Sequence, residues 1–268
     1  MNRHTVVTIA SKDLGLLRRK RSVRVSILAF PLLVAVVLPL VIRIANGKAR
    51  GGIPASALPG LLDAFTFVFV VGAAVLPTAI ASYSLVGEKV EGCLEPLLAT
   101  PATDSEILLG KSIAAFLPSV AAIYAGAVLF MALSDAFAYG TLGYLYFPNW
   151  TAAVIFVVMT PLAAILCIEF NILISARVSD IRAAQQLGAL AVLPLAAIYL
   201  AGELNVLALD LPTLGIISGA LVVVDGGLFV ASRATFQREE ILTRWKQRDR
   251  PLPPMRHRPS QPHHKGPV

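Results

Sequence analysis

The sequence predicts an all-α, polytopic membrane protein with six transmembrane helices, and three observations carry that reading. The chain is 56% hydrophobic and only 15% charged, whereas a soluble domain carries about 25% charged residues. Its mean hydropathy is +0.74. Its charges come in clusters, and the gaps between clusters have bilayer length. Too little polar surface remains for soluble domains, and so apolar a chain excludes general disorder. Two cysteines in 268 residues exclude a disulfide-stapled module. The apolar runs lack the strict alternation of an outer-membrane barrel.

The elements follow in order. Residues 5–22 mix Val6, Val7, Ile9, Leu14, Leu16 and Leu17 with Lys12, Arg18, Arg19 and Arg21, which predicts an interfacial helix on membrane lipid. Uncharged runs then cover 25–42, 64–87, 112–134, 136–168 and 183–202, and 211–232 carries only Asp225. A span needs about 20 apolar residues, so spans are expected near 24–45, 62–87, 108–133, 151–175, 184–203 and 212–233. The 136–168 run is read as a loop plus most of a span. Pro39, Pro77, Pro118, Pro161 and Pro194 fall inside spans and are expected as kinks. Lys and Arg number 20 on one side of this topology and three on the other (Arg43, Lys48, Arg50). That bias places both termini in the cytoplasm. It also accounts for the net charge of +7 as a topology signal, with no nucleic-acid partner. The Pro-, Arg- and His-rich tail after Trp245 is expected to be disordered. The division is a membrane domain over 1–238 and a cytoplasmic tail over 239–268.

Several chemistries are missing. The four histidines are His4, His257, His263 and His264, so none is available for acid–base or metal chemistry within the spans. No catalytic residue or metal site is expected. Glu239-Glu240 with Arg244 matches the EExxxR pattern of intramembrane proteases, but without intramembrane histidine it reads as a charged helix end. Gly110-Lys111-Ser112 looks like the end of a phosphate-binding loop. Ser105 stands where the first glycine belongs, and Glu106-Ile107-Leu108-Leu109 reads as helix. Lys111 is therefore expected to anchor a span by reaching to the interface. Asn149-Trp150-Thr151 matches a glycosylation sequon but abuts a span. Cys93 and Cys167 are expected on the cytoplasmic side and inside a span, too far apart in environment to pair.

The connection after the second span is the most informative segment. Leu94, Leu97 and Leu98 are spaced as one buried helix face. Gly92 breaks the preceding helix, Thr100-Pro101 ends the short one, and Thr103 with Glu106 forms a capping box for the third span. Glu88, Glu91 and Glu95 rim the stripe. Six thin spans leave little of the chain for such a stripe to pack against, so a docking helix is expected.

These residues resemble the ABC-2-type transporter permeases. The resemblance lies in Glu88-x-x-Glu91-Gly92-x-Leu94-Glu95-x-Leu97-Leu98-Ala99-Thr100-Pro101 followed by Glu106 to Lys111. A second match is Ser175 to Val178 with Ala183 to Gly188, including Arg177, Arg182, Gln185 and Gln186. A third is Leu228-Phe229 with Arg238-Glu239-x-Ile241-Leu242. It covers residues from about 5 to 242. It implies a permease subunit of an ATP-driven exporter that dimerises with a second copy or paralogue and pairs with two ABC ATP-binding subunits. ATP and Mg would sit on those partners, with no cofactor on this chain. The 88–103 segment would be the coupling element, and residues 5–22 the interfacial elbow, in the plasma membrane of a prokaryote.

Glu169 and Asn171 in the fourth span and Asp225 in the sixth are polar at bilayer depth, where a charge costs roughly 2.5–3.5 kcal/mol or more. They are expected to face the protein interior or a transport path. The alternative is that Glu169 pairs with Lys111 or Arg177 and that Asp225 is a neutral, protonated hydrogen-bonding group. Gly215 and Gly219 form a GxxxG, a sign of close helix packing. The rival functions are a non-transporting membrane scaffold and, against the missing histidines, an intramembrane enzyme.

Overall fold

In the computed structural model the described residues are 3–19, 21–48, 53–90, 102–178, 180–204 and 206–235. They form helices and connections, with no strand among them. The helices are α1 (Arg3–Arg19), α2 (Arg21–Lys48), α3 (Leu58–Val90), α4 (Asp104–Leu142), α5 (Trp150–Val154), α6 (Thr160–Arg177), α7 (Ile181–Gly188), α8 (Leu193–Glu203) and α9 (Leu211–Thr235). One compact unit, Met1–Phe236, holds every described residue. The tail over 239–268 and the core of the docking segment (Glu91, Gly92, Leu94, Glu95, Leu97, Leu98, Thr100 and Pro101) lie outside the described residues. Glu88 falls on the last turn of α3.

Six stretches are long and apolar enough to cross a membrane: Ile27–Ala45, Leu58–Thr78, Ser105–Leu142, Trp150–Ser175, Arg182–Glu203 and Leu211–Ser232. All six match expected spans. The third is longer than expected, because α4 continues through Asp135 to Leu142. Residues 136–142 are therefore helix rather than loop. Asp135 earns its place there by accepting hydrogen bonds from the Tyr146 and Phe147 amides (2.9 and 3.1 Å), which folds the following connection back on the helix end. The other end of α4 starts with the expected capping box. The Thr103 amide donates to Glu106 Oε2 (3.0 Å) and the Glu106 amide to Thr103 Oγ1 (3.4 Å), satisfying two backbone donors at a helix start.

The prolines are absorbed in two ways. Pro31, Pro39, Pro77 and Pro118 sit inside continuous helix. Pro161 and Pro194 instead coincide with changes of helix type. Pro161 has no N–H and its ring crowds the carbonyl four residues back. The preceding turn, Ile155–Met159, widens to π-helix, and Thr160 donates to Ile155 O through its amide and its hydroxyl (2.9 Å). Before Pro194 the chain tightens to a 3-10 turn over Ala189–Val192, where Leu193 donates to the Leu190 carbonyl that Pro194 cannot serve. The fifth span is thus a broken helix, α7 then α8.

The spans pack around α3, which feeds two apolar clusters. Phe65, Phe69 and Ala73 meet Val34, Ile123, Phe130 and Phe156 on one side. Phe67, Val70 and Ala74 meet Ile155, Met159, Leu195 and Leu214 on the other. Rings of the first cluster sit 5.3 Å (Phe69–Phe130) and 5.7 Å (Phe69–Phe156) apart, within the range of favourable tilted pairs. The outer spans leave apolar side chains such as Leu33, Val41, Ile216 and Val223 exposed, as a lipid-facing surface requires.

The N-terminal helix, expected on lipid, packs against α4. Val6, Ile9, Ala10 and Asp13 are buried against α4, while Val7 is exposed as expected. Contact is close because residue 110 is glycine: a Cβ there would lie 2.9 Å from Ile9 Cβ and 3.2 Å from the Val6 carbonyl oxygen. Next to it, Lys111 Nζ pairs with Asp13 Oδ2 at 3.5 Å. Lys111 is only 3% exposed. The expectation that it reaches to the interface is corrected. The Gly-Lys pair that imitates a phosphate loop is the seat of α1.

Candidate functional site

The fourth span carries two of the three predicted polar residues on different faces of α6. Ile165, Ile168, Glu169 and Ile172 recur at helical spacing and form one wall of a cavity of about 640 Å³. The start of α4 supplies a second wall with Ser105, Leu108, Leu109, Ser112, Ile113 and Phe116, below the Thr103 cap. Phe229 and Ser232 of α9 close the third side. The wall is mostly aliphatic and aromatic, with hydroxyls at Thr103, Ser105, Ser112 and Ser232 and one ionisable group among the described residues, Glu169. The Ser232 hydroxyl donates to the Glu169 carbonyl at 3.5 Å and ties α9 to α6.

Glu169 and Asp225 carry carboxylate oxygens that accept no hydrogen bond from a described residue. Glu169 Oε2 and both Asp225 carboxylate oxygens are buried with no hydrogen-bond partner among the described residues. Asp225 is 8% exposed and is an electrostatic neighbour of both Glu169 and Cys167. It lies one turn before Phe229 on α9, behind the cavity wall rather than on it. Lys111, a candidate partner for Glu169, pairs with Asp13, and the side chain of Arg177, the other candidate, lies outside the described residues.

Asn171 has a different role. It is fully buried. Its Nδ2 donates to the Cys167 carbonyl (2.7 Å) and to Thr78 Oγ1 (3.2 Å), and the Thr78 hydroxyl donates on to Ala74 O (3.0 Å). The amide oxygen of Asn171 rests against Gly188, where any Cβ would collide with it. Asn171 therefore joins α3, α6 and α7 rather than lining the cavity. Of the second loop residues, Arg177 ends α6. The Arg182 amide donates to the α7 cap, Asp180 Oδ1 (3.0 Å). Gln185 is half-buried and Gln186 exposed.

The opposite end of the bundle holds a structural polar cluster. Asn149 caps α5, accepting from the Ala152 amide at 2.6 Å, and its Nδ2 donates to Asp63 at 3.4 Å. The Tyr146 hydroxyl donates to Pro59 O at 3.1 Å. Burial, and then the neighbouring Asp63 charge, push its pKa well above the usual phenol range. The sequon asparagine is thus a helix cap in use.

Sequence reasoning located Glu169 and Asp225 but not the cavity between them and α4, nor Phe116 and Phe229 as its aromatic walls. The available signal was the small hydroxyls Ser105 and Ser112, two turns apart on one face of α4. No protein-family model matches the chain, and no curated protein matches it in sequence.

Proposed function

We propose that the chain is the permease subunit of an ATP-driven ABC exporter, with both termini in the cytoplasm of a prokaryote and two separate ATP-binding subunits as partners. The observation that carries this reading is the 88–101 segment with its leucine stripe and glutamate rim, set between the two longest helices. Helix α3 has 33 residues and α4 has 39. At 1.5 Å per residue these are about 50 and 58 Å long, against a hydrocarbon layer of about 30 Å. Helices of that length are suited to carry motion from a docked partner at the surface to the middle of the bundle. In this mechanism ATP draws the partner subunits together, the docked segment shifts α3 and α4, and the cavity beside α4 changes the side from which it is reached.

The test is Leu94, Leu97 and Leu98 replaced together by Asp. Burying each leucine contributes about 1.5–3 kcal/mol, so three charges should lower affinity for a co-expressed ABC ATP-binding subunit by orders of magnitude. Pull-down reads the loss, with monodispersity in detergent as the folding check. A well-folded triple variant that keeps its ATPase rejects this docking role and favours a scaffold. The purified chain alone is expected to hydrolyse no ATP, because Gly110 and Lys111 are used to seat α1.

A further inference from the structure

We propose that the cavity between α4, α6 and α9 is a binding site for lipophilic organic cations, with Glu169 as counter-ion and Phe116, Ile165, Ile168 and Phe229 around the apolar body. That such a molecule is cargo rests on the exporter reading; that it binds does not.

Size is the first argument. About 640 Å³ lies within the range of sites that enclose a drug-sized molecule. Wall chemistry is the second. Aliphatic side chains from α4 and α6 line the space, with Phe116 of α4 and Phe229 of α9 beside them, and aromatic rings attract a cation placed over their faces. Charge is the third. Glu169 is the ionisable wall residue among the described residues, its Oε2 is buried without a hydrogen-bond partner among them, and Lys111 of α4 pairs with Asp13. Asp225, more than nine-tenths buried and also without a hydrogen-bond partner among the described residues, stands one helical turn behind Phe229. The negative charge at this place therefore exceeds what the described residues neutralise. An uncompensated carboxylate at bilayer depth is costly, and a bound cation offsets that cost where an anion or neutral molecule adds to it.

The same wall disfavours an inorganic ion. Calcium takes six to eight oxygen ligands and magnesium keeps a shell of waters, while this cavity offers one carboxylate among hydrocarbon. An organic cation with its charge spread under apolar groups loses little hydration on entry. The hydroxyls of Thr103, Ser105 and Ser112 lie at the α4 start and give the cavity a polar margin.

The experiment uses the full chain in phosphatidylcholine nanodiscs without any ATPase. Radiolabelled tetraphenylphosphonium is titrated, with protein-free nanodiscs subtracted. Saturable binding is expected in the wild type. Glu169→Gln should weaken it at least tenfold, and Leu109→Trp, which fills the cavity from α4, should remove it. Tetraphenylborate, the same shape with the opposite charge, should show no saturable binding. Thermal melts establish that each variant is folded, and if Glu169→Gln is not, Leu109→Trp decides. Absence of saturable tetraphenylphosphonium binding overturns the proposal. So does unchanged binding in a folded variant, or equal binding of the borate. A chain that binds the cation but retains no co-expressed ABC ATP-binding subunit in the pull-down would uphold the site and reject the exporter reading; one that retains the subunit without binding the cation would do the reverse.

Discussion

Lys111 and Glu169 sit on neighbouring spans, and the fold treats their charges in opposite ways. Lys111 is buried by α1 and answered by Asp13 at 3.5 Å. Glu169 Oε2 and both carboxylate oxygens of its neighbour Asp225 are buried with no hydrogen-bond partner among the described residues. A compensated charge in an interior locks two elements together. An uncompensated one weakens the resting protein and leaves attraction available for something that arrives later. The first arrangement is what assembly requires, the second what recognition requires.

The contrast can be broken by removing one charge at a time. Lys111→Met should produce the largest effect, a loss of about 3–5 kcal/mol, because it removes the cation paired with the buried Asp13 carboxylate. A large fall in melting temperature, partly restored by adding Asp13→Leu, would be the signature. A melt unchanged in Lys111→Met would show the pair to be ornamental. Gly188→Ala comes next. Its methyl meets the Asn171 amide, and overpacking of this kind costs about 1–3 kcal/mol. Asn171→Ala in the same chain should recover part of the loss, which a double-mutant cycle of melts would measure.

The uncompensated acids should respond with the opposite sign. Asp225→Asn replaces a buried carboxylate that no described residue answers and should raise stability by about 1–2 kcal/mol. A clear fall in melting temperature would mean that Asp225 is answered after all. The smallest effect belongs to Tyr146→Phe, which deletes one hydrogen bond to Pro59 O and should cost about 0.5–1.5 kcal/mol. Its pH dependence sharpens the test. The folded protein holds the Tyr146 proton more tightly than an ordinary phenol near 10 does. The wild-type advantage is therefore complete below about pH 10 and shrinks as pH rises above it. Melts of both proteins at pH 8 and pH 11 would show the gap narrowing.

The six spans were legible because lipid demands long uncharged runs, and the Thr103–Glu106 cap was legible because capping is local. What escaped was set by contacts distant in sequence. Asp135 interrupts an apolar run and so reads as the end of a span, yet its carboxylate serves two amides eleven and twelve residues on. Gly110 and Lys111 read as anchor residues because nothing in a sequence announces that residues 6–13 return to them. Asn171 and Glu169 look alike as polar residues two apart in one span. Two positions turn a helix by about 200°, which puts one in a lock with Thr78 and the other on a cavity wall. The cavity itself depends on three helices converging, and pattern along one chain carries no such information.

The pairing of α1 with α4 also imposes a schedule. Asp13 is synthesised before its partner Lys111, which follows about a hundred residues later. At about 5–20 residues per second, the ribosome takes roughly 5–20 seconds to deliver it. Throughout that interval the nascent α1 holds an acid and the apolar side chains Val6 and Ile9 on a face whose cover has not been synthesised. The amphipathic first helix therefore needs a temporary host, and the bilayer surface is the one at hand until α4 is inserted.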